Sequence, residues 1–201
     1  ALCEHGLLMK DGPRFRLGMT LLRLGMRVAE GIDVRQQALK YLKWLNEQTG
    51  ENAELHMRHE DARMVIETVS TPHELRAYAE VGTPLPLHLG AAGKVLLAWL
   101  PPEERLSLAR ASATHFSPAQ SFDVGAYSDE LERVRATGWA SSAGERSPGV
   151  SSIAAPIFDA SGHIAGALAL VAPAARLTDE LRTRFIPIVC ETARRTSYDR
   201  G

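Results

Sequence analysis

The segment with the most chemical promise is Gly90-Ala91-Ala92-Gly93-Lys94-Val95, which shares the Gly-Lys ending of a phosphate-binding loop. The full pattern requires a glycine where His88 or Leu89 stands and a hydroxyl after the lysine to hold magnesium; Val95 has none. Nucleotide hydrolysis is therefore not expected. Small residues at a helix start still let a ligand come close to the backbone. Free N–H groups and the helix dipole favour a carboxylate at such a place.

Serines gather at Ser141-Ser142, Ser147 and Ser151-Ser152, around Glu145 and Arg146. A hydrolase of the nucleophile-elbow type needs Gly-x-Ser-x-Gly, and Gly149-Val150-Ser151 fails because Ile153 stands where the second glycine belongs. From the residues alone, a pocket lining and a plain polar loop fit these serines equally well. The chain has 7 histidines. His56 and His59, three apart on a strand, point to opposite faces. His73, His88, His115 and His163 have no carboxylate or cysteine at ligand spacing. No metal, cofactor or catalytic residue is expected.

The elements that must position these groups follow from periodicity. Leu7-Leu8-Met9 and Arg14-Phe15-Arg16-Leu17 flank Asp11-Gly12 and predict a hairpin whose Lys10, Arg14 and Arg16 are placed to meet phosphates. Residues 18–30 read as a helix with Leu21, Leu24 and Val28 on one face and Met19, Leu22 and Met26 elsewhere. A helix apolar nearly all round is buried on two sides, in a core or against a partner chain. Asp33 caps a second helix, Gln36 stands at the capping-box position, and Gly50 stops it. Val34, Ala38, Tyr41, Leu42 and Leu45 form its core stripe.

The period then changes to that of strands at 54–59 and 63–69, with Glu60-Asp61 as the turn and a third strand expected over Leu75–Val81. Helical patterns return at Ala91–Trp99, Glu103–Arg110 and Val124–Thr137, the last ended by Gly138. Strands follow at Val150–Phe158 and Ile164–Val171, then a helix capped by Thr178. This order predicts an α+β sandwich with a mostly antiparallel sheet flanked by helices.

Composition narrows the functions. A chain of 201 residues with 45% hydrophobic and 23% charged residues forms a well-buried domain. Its net charge of −1, from 23 Lys+Arg against 24 Asp+Glu, lacks the basic excess of a free-standing nucleic-acid binder. The 2 cysteines, Cys3 and Cys190, make no disulfide framework, which suits a reducing cytoplasm. No apolar run approaches the ~20 residues needed to cross a bilayer.

Taken together, several strings resemble the IclR family of bacterial transcriptional regulators. Arg14-Phe15-Arg16-Leu17-Gly18 is similar to the signature closing that family's winged-helix domain, and Leu45–Gly50 to a family helix end. Val81-Gly82-Thr83-Pro84-Leu85-Pro86-Leu87-His88, followed by Ala91–Ala98, is closer still. So is Leu131–Trp139, although Trp139 stands where tyrosine is usual. Glu145, Gly149 and Ile153-Ala154-Ala155-Pro156-Ile157-Phe158-Asp159 complete the match.

The resemblance implies a GAF-like or profilin-like sensing domain that binds a small organic acid and forms a homodimer or homotetramer. It implies a remnant of the winged helix-turn-helix at 1–17, a linker helix at 18–30 and an effector-binding domain at 31–201, the chain starting at what resembles the last turn of the family's recognition helix. Operator DNA is then a partner through a largely absent N-terminal domain. The implied effector site comprises Gly90, Ala91, Ala92, Ser142, Val150, Ser151, Ser152, Ala169 and Val171. The helix start serves the carboxylate, the serines the polar atoms, and Ala169 and Val171, joined by Ala77, an apolar wall. Ala169 and Val171 stand where some members offer serine hydroxyls, which favours an aromatic or alkyl-substituted acid over a two-carbon one. Two rival readings remain: a small hydrolase or transferase using Glu145 or a serine, which lacks a base and orienter at convincing spacing, and a ligand-free interaction module.

Overall fold

The computed structural model describes residues 1–30, 33–77, 79–117 and 122–197. Strands β1 (Leu8–Asp11) and β2 (Arg14–Leu17) form the expected hairpin around Asp11-Gly12. Its register places Met9 opposite Arg16, Asp11 opposite Arg14 and Lys10 opposite Phe15. Arg14 and Arg16 thus share one face with Asp11, and Lys10 stands on the other. All three basic residues are exposed, and Arg16 pairs with Asp11 at 3.0 Å.

Helix α1 (Met19–Glu30) leaves Met19, Leu21, Leu22, Leu24, Met26 and Val28 exposed within one chain. Helix α2 (Asp33–Thr49) buries Val34, Ala38, Leu42 and Leu45, with Tyr41 at the margin, and ends where the Gly50 N–H donates to the Asn46 carbonyl at 2.7 Å. Gly50 has φ 70°, the left-handed conformation of a helix stop. The cap expected of Asp33 involves a side chain outside those described.

The main sheet contains β3 (Asn52–His59), β4 (Ala62–Val69), β5 (Pro84–Pro86), β6 (Ala140–Ala143), β7 (Val150–Phe158) and β8 (Ile164–Pro173). Its order is β5-β4-β3-β8-β7-β6, and every pairing is antiparallel. Helices α3 (Ala91–Ala98), α4 (Pro102–Phe116) and α5 (Val124–Thr137) build the core on one face, with Ala154, Ala167, Ala169 and Val171. On the other face α2 and α6 (Asp179–Thr196) cover Ile153, Ala155, Leu168, Leu170 and Ala172. The mixed α+β architecture is the expected one. Central strands packed on both faces also explain the unbroken apolar run of β8.

Gly138 and Thr178 mark helix ends as expected, and Asp123 adds a cap the sequence reading did not name. Asp123 accepts from the Ala126 N–H at 3.0 Å, Gly138 ends α5 at φ 80°, and Thr178 accepts from the Leu181 N–H at 3.3 Å. Helix α4 runs longer than expected, from Pro102 to Phe116.

The strand expected over Leu75–Val81 is absent among the described residues, and Tyr78 lies outside them. Side chains take up that backbone instead. The Asn52 amide accepts from the Thr71 N–H and donates to the Ala77 carbonyl, and Arg176 donates to the Leu75 carbonyl. The edge strand is β5, a three-residue piece with a proline at each end. Proline lacks an N–H and suits an edge position.

Candidate functional site

The start of α3 is built from two glycines with different duties. Gly90 has φ 81° and ψ 159°, a conformation essentially closed to other residues. A Cβ on Gly93 would stand 2.1 Å from the Leu87 carbonyl oxygen, so this glycine serves the approach of one backbone to another. Around them two donors of the helix start are already engaged. The Gly90 N–H donates to Glu145 Oε2 at 3.0 Å, and the Ala91 N–H to Ser152 Oγ at 3.4 Å. Lys94 is buried and donates to Glu145 Oε1 at 2.5 Å and Glu130 Oε1 at 2.6 Å. The lysine that suggested a phosphate loop is thus held by two carboxylates.

Beside this helix start lies a cavity of about 30 Å³. Gly90, Ala92, Ser142 and Ser152 line it, and Val150, Ala169 and Val171 form an apolar part of its wall. Two residues named with them do not line it. Ala91 is fully buried in the core around α3. Ser151 pairs with Ala172 and faces the α2–α6 side, because adjacent strand residues point to opposite faces. Ala77 is buried in the same core as Ala91 and is not among the lining residues.

Leu85 adds to the apolar wall, and the remaining lining is polar or charged, with Glu54, His56 and Arg63 not among the site residues expected from the sequence. Glu54, His56 and Arg63 are buried at the cavity from β3 and β4, and Arg146 and Ser147 reach it from the β6–β7 loop. Arg63 Nη1 donates to His56 Nδ1 at 2.9 Å, and His56 Nε2 lies 2.9 Å from Glu54 Oε2. Arginine can only donate. His56 Nδ1 is therefore the acceptor, and the proton resides on Nε2, directed at Glu54. Burial, and then the Arg63 charge, push the His56 pKa below its usual value, which keeps the ring neutral. Burial likewise lowers Arg63 to about 10, so it remains cationic at neutral pH. One sequence signal pointed here. Glu54 and His56 pair with Ala169 and Ala167 on β8, small residues that leave room for polar side chains on a covered face.

A second cavity, of about 420 Å³, is lined by Lys94, Tyr127, Glu130 and Glu145 among others. Glu145 borders it while holding Gly90, so the Glu145–Lys94 pair stands between the two spaces. Among the described residues no group of His, Cys, Asp and Glu is arranged to hold a metal ion, and no helix is long and apolar enough to cross a membrane.

A family model described as bacterial transcriptional regulator IclR C-terminal matches residues 26–198. The chain belongs to the IclR family. It is 32% identical over 204 residues to the glycerol operon regulatory protein of Streptomyces coelicolor, spanning 100% of this chain and 80% of that protein. The HTH-type transcriptional regulator XynR of Escherichia coli is 32% identical over 176 residues, covering 87% of this chain and 70% of XynR. The crystal structure of an IclR regulator from Alicyclobacillus acidocaldarius superposes with a TM-score of 0.82 at 28% identity, covering 100% of this chain and 82% of that one. These IclR relatives are transcriptional regulators and not enzymes, which removes the hydrolase and transferase reading.

Proposed function

We propose that this IclR-family chain senses a small organic acid in the cavity beside α3. Its occupancy is passed to an operator-binding domain through a cytoplasmic dimer or tetramer. The observation that carries the reading is Arg63, a buried guanidinium at the cavity wall whose side-chain partner is a neutral histidine. Glu54 compensates this charge only from behind His56, with no carboxylate in contact with the guanidinium, so an anionic ligand would add a direct partner to a buried cation. The small volume and charged lining favour a short polar acid over the aromatic one suggested by Ala169 and Val171, since a benzene-sized cavity is about 150 Å³.

The effector acts by binding two arrangements of the oligomer unequally, for no ligand shifts an equilibrium otherwise. Residues 31–201 form the sensing domain, 18–30 the linker helix and 1–17 a wing. The exposed apolar side chains of α1 suit pairing with a second copy. Lys10, Arg14 and Arg16 supply phosphate contacts that position rather than specify.

The test is thermal denaturation with a panel of carboxylic acids. An acid at 100-fold its Kd adds about 2.7 kcal/mol, which raises Tm by roughly 5–10 °C in a protein of this size. Ala92→Trp, which fills the cavity, should abolish the rise. A rise that survives this substitution would place the site elsewhere. Sedimentation that shows only monomer at micromolar protein would remove the pairing.

A further inference from the structure

We propose that the effector is a carboxylic acid with a hydroxyl or amino donor beside its carboxylate. The carboxylate lies between the guanidiniums of Arg63 and Arg146, and the donor is accepted by Glu54. This rests on the effector-site reading above and gives that site its ligand chemistry.

The helix-start N–H groups of Gly90 and Ala91 are bound to Glu145 and Ser152, so a ligand carboxylate placed on them would have to displace the Glu145 carboxylate or the Ser152 hydroxyl. Arg63 is in the opposite condition. Its Nε donates to the Pro86 carbonyl at 3.2 Å and its Nη1 to His56, and both acceptors are neutral. Nη2 lies 3.2 Å from where a Cβ on Gly90 would stand, on the cavity's own wall, and makes no hydrogen bond among the described residues. The absence of a side chain at position 90 leaves that nitrogen open to the cavity.

Arg146 reaches the same cavity from the β6–β7 loop. Its charge is felt at both His56 and Arg63, and no carboxylate lies in ion-pair contact with it among the described residues. Two cations facing one small space repel each other unless an anion separates them. Arginine's planar fork matches a carboxylate in two-point contact.

Glu54 adds the second requirement. One of its oxygens accepts from His56, and the other makes no hydrogen bond among the described residues although the side chain is buried. A bare carboxylate or a keto acid offers only acceptors to that oxygen and is repelled. A hydroxyl or amine donates to it. With His56 neutral, two guanidiniums and one carboxylate leave a single positive charge, which a hydroxy monoacid neutralises and a zwitterionic amino acid leaves in place. The cavity is only about 30 Å³, with Arg146 and Ser147 of the β6–β7 loop among its lining, which suits a short acid.

Calorimetric titration of the 201-residue chain with L-lactate, D-glycerate and L-alanine, set against pyruvate, propionate, glycerol and benzoate, tests this. Lactate and pyruvate differ only in whether the group beside the carboxylate donates or accepts. At least one donor-bearing acid should bind about tenfold or more tightly than its donor-free counterpart, and glycerol should not bind. Arg146→Ala, on a half-exposed loop residue that does not threaten folding, should weaken that acid about tenfold or more. Glu54→Gln should shrink the preference for lactate over pyruvate to about threefold or less. Pyruvate or benzoate binding as well as lactate would overturn the proposal. So would retention of affinity within about twofold in Arg146→Ala. In either case an acid still bound and lost in Ala92→Trp would leave the effector-site reading standing. If no acid of any class binds, the reading itself fails and takes this proposal with it.

Discussion

Gly93→Ala separates two explanations for the small residues at the start of α3. If Gly93 exists to let a ligand reach the backbone, alanine should damage binding and spare stability. The structure assigns it the reverse role. The added methyl would stand 2.1 Å from the Leu87 carbonyl oxygen and 2.9 Å from its carbon. Relief requires a backbone shift of roughly 1.3 Å or more to reach ordinary van der Waals contact. Neither side yields easily: the Leu87 N–H is held by Ser112 Oγ at 2.9 Å, and all of α3 is buried. Overpacking usually costs about 1–3 kcal/mol and more where only backbone can move, so about 3 kcal/mol is expected. At roughly 2–4 °C per kcal/mol for a protein of this size, Tm should fall by about 6–12 °C. Differential scanning calorimetry measures this, and titration of the folded protein at low temperature should find effector affinity little changed. Gly90→Ala is the companion variant. Its φ of 81° costs about 1–3 kcal/mol for a non-glycine residue, and its methyl would meet Arg63 Nη2 at 3.2 Å inside the cavity, so stability and binding should both suffer. A Gly93→Ala protein that melts within about 2 °C of the parent would sink the packing argument.

Two further outcomes follow from the buried charges. The folded protein holds the His56 pKa below 6.5, chiefly by burial, so the unfolded chain takes up that proton first as pH falls. Stability is therefore full above 6.5 and declines below it, by up to about 1.4 kcal/mol per pH unit from this histidine. Urea midpoints between pH 7.5 and 5 should show the decline and His56→Gln should flatten it; an equal slope in both proteins would assign it to other groups. Separately, Arg176 grips the buried Glu51 at 2.6 and 2.7 Å and donates to the Leu75 carbonyl at 2.8 Å. Arg176→Ala leaves a buried carboxylate unpaired, and since Arg176 is itself partly exposed, about 2–3 kcal/mol is expected rather than the full cost of breaking a buried pair. The variant should also open the 71–77 loop to limited proteolysis, and an unchanged urea midpoint would rule out the tether.

What the sequence determined by itself was local, because local signals act within a few residues. Asp11-Gly12 and Glu60-Asp61 turn their hairpins, while Gly50, Gly138 and Thr178 end or begin their helices as their chemistry requires. The opposite facing of Ser151 and Ser152 was also legible, since it follows from the two-residue period of β7. Family membership was readable because its motifs are spread along the chain in order. Tertiary structure alone decided which donors were free. Glu145 reaches Gly90 across 55 positions and takes the N–H that the helix start seemed to hold open for a ligand. Arg176 reaches Leu75 across 101 positions and replaces the ladder of an expected strand. Glu54, His56 and Arg63 read as ordinary alternation on a hairpin, yet burial beside α3 and the approach of Arg146 turn them into the charged wall of a cavity. Charge in a sequence is only composition; the surrounding dielectric and the distance to a partner give it an energy, and both are set by the fold.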